Sequence, residues 1–162
     1  MIVQAIPFLL DRGHGTSFAA FAVGLMGASQ IPGRFLFAVL GARLPSGSAI
    51  PSVFALVAVG IVLIVAVPGT VAVLTGMVVL GMGNGMALLA RATVIADRYG
   101  PAAYGAIAGV AASVTTGARA AAPVAAAVWA SIVGYDGLLW TLAGLAGLAV
   151  LLGARAERAF RA

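Results

Sequence analysis

Residues 105–133 read GAIAGVAASVTTGARAAAPVAAAVWASIV, an apolar run with one arginine, Arg119, at its midpoint. A bilayer-spanning helix needs about 20 mostly apolar residues, so the run is long enough to cross. A lone charge at the centre of such a helix is costly and has to be offset by another part of the molecule or by water. At helical spacing Gly105, Gly109, Ala112, Thr116, Arg119 and Pro123 fall on one stripe, small at one end and polar in the middle. Pro123 lacks the N–H that would bond the carbonyl of Arg119, so the helix is expected to bend there. A freed carbonyl and a guanidinium at membrane depth are tolerated only where protein or water faces them. This stripe therefore reads as a packing face that turns into a lined cavity.

The whole chain agrees with a membrane setting. Of its 162 residues 63% are hydrophobic and 8% charged, against about 25% charged in soluble domains. All nine basic residues are arginines, scattered between apolar runs rather than clustered, which suits topology and not a nucleic-acid patch. There is no cysteine, and the single histidine, His14, stands alone, so no metal site or cofactor is expected. No serine, histidine and acid set lies within the apolar runs, which argues against an enzyme. The opening MIVQAIPFLL lacks the basic region and cleavage site of a signal peptide.

Taken in order, residues 1–10 make a partial helix of about 15 Å, half a membrane. Full crossings are expected at about 17–40, 50–67, 70–90, 105–133 and 138–153, followed by a tail at 154–162. The fold class is then all-α: a multi-pass transmembrane bundle of five full crossings plus one partial N-terminal helix. Loops are expected at 11–16, at Pro68-Gly69 and as a four-residue turn, Gly134-Tyr135-Asp136-Gly137. These fall on one side with Arg12. The other side holds Arg43, Arg91, Arg98, Arg155, Arg158 and Arg161, and the positive-inside rule makes it cytoplasmic. Trp129, Tyr135 and Trp140 gather at the outer interface as an aromatic belt. The expected address is the inner (plasma) membrane with the C terminus in the cytoplasm.

Polar groups are unevenly shared among the crossings. The 50–67 and 138–153 runs have almost none and suit lipid. Gln4, Gln30, Asn84, Thr116 and Arg119 fall near one depth and are the candidate substrate-binding residues. Each has a plainer reading: Asn and Gln often serve as interhelical hydrogen-bond glue worth about 1 kcal/mol. Gly81, Gly83 and Gly85 leave backbone open beside Asn84, either for a ligand or for a close helix. No acid lies inside any crossing, since Asp11, Asp97, Asp136 and Glu157 all sit in loops or at ends. Arg119 thus calls for an anion from outside the chain, and a carboxylate or phosphate matches its planar fork.

At Gly33-Arg34 and then Gly41-Ala42-Arg43, the chain resembles the major facilitator superfamily of secondary transporters, which carry a Gly-Arg…Gly-x-x-Asp-Arg-like signature at the cytoplasmic ends of two helices. The likeness continues through Gly81 to Gly85, Asp97-Arg98-Tyr99-Gly100, Gly105 and Gly109, Ala122-Pro123, and Gly134-Tyr135-Asp136-Gly137. Ala42 departs from it, standing where an acid is usual. The resemblance aligns the whole chain with helices 7 to 12, the first of them shortened. It implies half of a major-facilitator-type fold, moving a small solute by alternating access against a missing N-terminal six-helix half. Within that frame Gly33, Arg34, Gly41 and Arg43 form the cytoplasmic-loop motif, and Pro32, Gly105, Gly109 and Pro123 pack or bend helices. The solute expected from Arg119 is an organic anion. The alternatives are export of a hydrophobic drug and a non-transporting helical scaffold or subunit. The partners implied are the lipid bilayer, the solute and the opposing half, with no nucleic acid.

Overall fold

Every regular element in the computed structural model, which describes residues 2–41 and 48–161, is an α-helix. The helices are α1 (Ile2–Asp11), α2 (Thr16–Ala28), α3 (Gln30–Leu40), α4 (Ala49–Ala66) and α5 (Thr70–Arg161). Thr16–Leu40, Ala49–Ala66, Thr70–Asp97 and Ala103–Ala156 are each long and apolar enough to cross a membrane. In such a solvent each backbone N–H and C=O must be satisfied within the chain, and a helix does this locally. Long apolar runs with few breakers therefore stay helical.

Within α5, glycine does the turning. At 92 residues, α5 would measure about 138 Å if straight. It departs from helical φ/ψ at Gly100 (φ 68, ψ 174) and Gly134 (φ 75, ψ 171), a region that side chains with a Cβ rarely enter. Two hydrogen bonds show that α5 folds back at both points. Arg91 Nη1 donates to Thr115 Oγ1 at 2.7 Å across 24 residues, about 36 Å apart on a straight helix. Trp129 Nε1 donates to Thr141 Oγ1 at 3.2 Å across 12 residues. Thus α5 comprises three segments, 70–99, 101–133 and 135–161.

These breaks are narrower than the sequence suggests. The interval between the crossings expected at 70–90 and 105–133 is helical apart from the break at Gly100, and the four-residue turn at 134–137 contracts to Gly134 alone. The expected crossing at 17–40 is divided at Ser29 into α2 and α3. Pro32 has no N–H to offer the Ala28 carbonyl, and the buried Ser29 turns its Oγ back to the Leu25 carbonyl at 2.7 Å. The axis is not lost, because the Gly33 N–H still reaches the Ser29 carbonyl at 3.2 Å. At Pro123 φ/ψ remain helical, and the breaks within α5 lie at the two glycines instead.

One hydrophobic core joins α1, α2, α4 and the first and third segments of α5. It contains Phe8, Leu9, Ala22, Met26, Ile61, Ile64, Met77, Leu80 and Leu139. Glycines set its closest approaches. A Cβ on Gly60 would lie 2.9 Å from Leu80, and one on Gly76 would lie 2.8 Å from the Gly60 carbonyl. Gly81 and Gly85 face the Met26 and Gln30 carbonyls on either side of the Ser29 break, so the break seats on a bare strip of segment 70–99. Among the described residues, segment 101–133 contributes none to the buried hydrophobic core.

The two ends of the bundle are distinct. Arg12, just beyond α1, bonds the Ile64 and Val65 carbonyls near the end of α4 and pairs with Asp136, next to the Gly134 break. The links expected on one side therefore do meet at one end. Gly153 lies against Pro51 near the start of α4, at the opposite end.

Candidate functional site

At the Arg12 end, the helices frame a half-open cavity of about 330 Å³ between α1, α2, α4 and all three segments of α5. Its walls are largely apolar: Phe8 from α1, Met26 from α2, Ile64 from α4, Met77 and Leu80 from segment 70–99, and Leu138, Leu139 and Leu142 from segment 135–161. Segment 101–133 supplies Ala122, Ala125 and Ala126, whose small side chains leave the space open. The polar atoms at the wall come from Gln4, Trp129, Tyr135 and Thr141.

These polar groups are mostly committed. Gln4 Nε2 donates to the Pro123 carbonyl at 3.3 Å, tying α1 to segment 101–133. A carbonyl can only accept, which fixes the amide orientation and leaves Gln4 Oε1 as an acceptor. Trp129 donates to Thr141 Oγ1, which in turn donates to the Gly137 carbonyl at 2.7 Å. The Tyr135 hydroxyl makes no hydrogen bond among the described residues.

Arg12 sits where three of the cavity-forming elements converge. Its guanidinium lies 4.9 Å from the centre of the Phe8 ring and 2.7 Å from Asp136 Oδ1, with Nη1 and Nη2 on the Ile64 and Val65 carbonyls at 3.3 and 3.2 Å. Phe8 and Ile64 line the cavity, and Asp136 follows Tyr135, which also lines it. The pair is partly open to solvent, the side chains being 26% and 63% exposed. Its Coulombic part is accordingly small, and its value lies in joining three elements.

The residues expected to gather at one site do not all do so. Gln4 lines the cavity, whereas Gln30, Asn84, Thr116 and Arg119 do not. Asn84, Thr116 and Arg119 are exposed and Gln30 is half-buried. Arg119 has no hydrogen-bond or ion-pair partner among the described residues. Gly81, Gly83 and Gly85 hold close helix contacts rather than open backbone: Gly83 abuts Val57, and the other two abut carbonyls. A Cβ on Gly105 or Gly109 would meet no described residue within 4 Å. In the loop motif, Gly33 packs on the backbone of Met82, Gly41 lies against the Phe37 ring, and Arg34 is exposed. Arg43 lies outside the described residues.

Sequence reasoning missed Arg12 as a tie, Arg91 as the partner of Thr115, and Tyr135 and Thr141 as cavity residues. A signal for the first existed: Arg12 and Asp136 are opposite charges in two links assigned to the same side. Thr115, one residue off the polar stripe, meets Arg91 and also bonds the Ala111 carbonyl. Comparison with known proteins returns no matching family model, no matching curated protein and no matching solved structure.

Proposed function

We propose that this chain is one helical half of a major-facilitator-type secondary transporter and moves a small solute by alternating access against an opposing half. The observation that carries the proposal is the uncovered middle of segment 101–133. Thr116 and Arg119 lie exposed there on an otherwise apolar helix. By helical spacing Val110, Val114 and Val128 fall on the opposite side and are also exposed. One side is suited to lipid, while the other carries a charge that lipid does not tolerate. A water-filled passage shared with further helices meets both demands. The order of the short glycine, arginine and proline motifs supports the same reading.

An anion site at Arg119 would take its remaining walls from the opposing half, because the cavity within this chain lies elsewhere. A second reading, a docking subunit without transport, draws on the exposed Gly105 and Gly109, which suit a close helix contact. Flux separates the two. Membrane vesicles from cells producing the chain with its opposing half are expected to accumulate solute under an ion gradient, to lose that accumulation with an ionophore, and to lose it when Arg119→Gln is introduced. Vesicles that hold the helical chain and show no gradient-driven flux with any of a broad panel of solutes would overturn the transport reading in favour of the subunit.

A further inference from the structure

We infer that the cavity at the Arg12 end is a binding site for an uncharged, largely apolar molecule bearing one hydrogen-bond donor, an alcohol or amide, which Gln4 Oε1 accepts. The inference deepens the transport reading and rests on it only for movement of the ligand; binding stands on the cavity itself.

Size comes first. At about 330 Å³ the space lies at the small end of the ~300–1,000 Å³ typical of ligand pockets. It suits a compact molecule or one medium-length chain. Charge comes next. Among the described residues no arginine, aspartate or glutamate lines the cavity. The nearby guanidinium of Arg12 is occupied by two carbonyls and Asp136. An anion or a cation would enter without a counter-charge, and an unpaired ion in an apolar wall is strongly disfavoured. Polarity then selects the donor. Gln4 spends one of its two Nε2 N–H groups on Pro123 and keeps Oε1 and the second N–H, Trp129 and Thr141 use their donors on each other and on Gly137, and the Tyr135 hydroxyl adds one group that can donate or accept. A ligand hydroxyl or amide N–H gives Oε1 a partner, whereas a ligand with acceptors alone does not.

The chain carries its own reporter, since Trp129 lines the cavity and the second tryptophan, Trp140, does not. In a Trp140→Phe background, in detergent and in nanodiscs, Trp129 fluorescence is titrated with a brominated medium-chain alcohol, with the matching brominated carboxylate at neutral pH, and with a phospholipid brominated on its acyl chain. Bromine quenches on contact. The alcohol is expected to quench saturably and the carboxylate not to saturate. Ala126→Leu, which fills the space, is expected to abolish saturation. Gln4→Leu leaves the space and removes the acceptor, and is expected to weaken binding by about three- to tenfold. Helix content by circular dichroism shows that each variant is folded, and the titration of the unfilled chain decides the matter even if Ala126→Leu does not fold. Quenching that rises linearly, or that the carboxylate reproduces, overturns the inference. So does full quenching by the brominated phospholipid that the unbrominated alcohol fails to relieve, which would make the cavity a lipid crevice. Binding is read on this chain and flux on the chain assembled with its opposing half: binding of the alcohol with no flux of any solute by the assembly keeps the site and retires the transport reading, and flux by the assembly without binding by the chain does the reverse.

Discussion

Segments 70–99 and 101–133 are both rich in glycine, alanine and valine, yet the first is the most tightly packed helix of the bundle and the second is nearly bare. On segment 70–99 each of Gly76, Gly81, Gly83 and Gly85 is pressed against backbone or side chains of α2, α3 or α4. On segment 101–133 Gly105, Gly109 and Gly117 face open space. Composition alone does not separate them. The difference lies in whether a complementary ridge exists elsewhere in the chain: Met26, Gln30, Val57 and Ile64 supply it for the first segment, and no described residue does so for the second. In a membrane, where lipid is as apolar as leucine, only such close fits favour one helix neighbour over another. Under the proposed function the bare segment, with its central arginine, is the part that the opposing half would cover.

The sharpest way to break this contrast is to enlarge one glycine on each segment. Gly85→Leu drives a side chain into the Gln30 backbone and is expected to cost at least about 3 kcal/mol, beyond the usual range for overpacking because the neighbour is main chain. Gly109→Leu meets nothing and is expected to be neutral or stabilising by up to about 1 kcal/mol through helix propensity. Unfolding in mixed detergent micelles, followed by circular dichroism, measures both. Equal losses would show that segment 101–133 is as closely packed as its neighbour.

A smaller effect tests how the bare segment is held. Arg12 fastens the Gly134 end through Asp136, and Gln4 fastens the middle through Pro123. Arg12→Gln is expected to cost about 1–2 kcal/mol, chiefly through the charged hydrogen bonds to the Ile64 and Val65 carbonyls. Asp136→Asn is expected to cost less than about 1 kcal/mol, since that side chain is largely exposed. The double variant should fall short of the sum of the two if they act as one tie. Full additivity in the same unfolding assay would separate them.

Much of the helical layout was legible in the sequence because membrane physics writes it in plain terms: run length, glycine and proline punctuation, and charge at the ends. The approximate extents of the helices and the shared end of three links follow from residues such as Pro68, Gly69, Gly100 and Gly134. The break at Ser29 was less legible, since its cause, Pro32, lies three residues downstream and its seat is the distant Gly81–Gly85 strip. The candidate site was legible only at Gln4. Helical spacing reveals which residues share a face but not what that face meets, so Asn84 and Arg119 were grouped with Gln4 by depth alone. The cavity depends on what is missing from its wall, the volume that Ala122, Ala125 and Ala126 leave unfilled, and single alanines in an alanine-rich helix carry no mark of that role.

Whether segment 101–133 turns one side to water and the other to lipid can be read directly in a chain without cysteine. Thr116→Cys and Val114→Cys place single thiols on the two sides, and a membrane-impermeant thiol reagent is applied to the assembled protein in native membranes. The thiol at 116 is expected to react at least about ten times faster than the thiol at 114. Equal rates at the two positions, whether both fast or both slow, would contradict it.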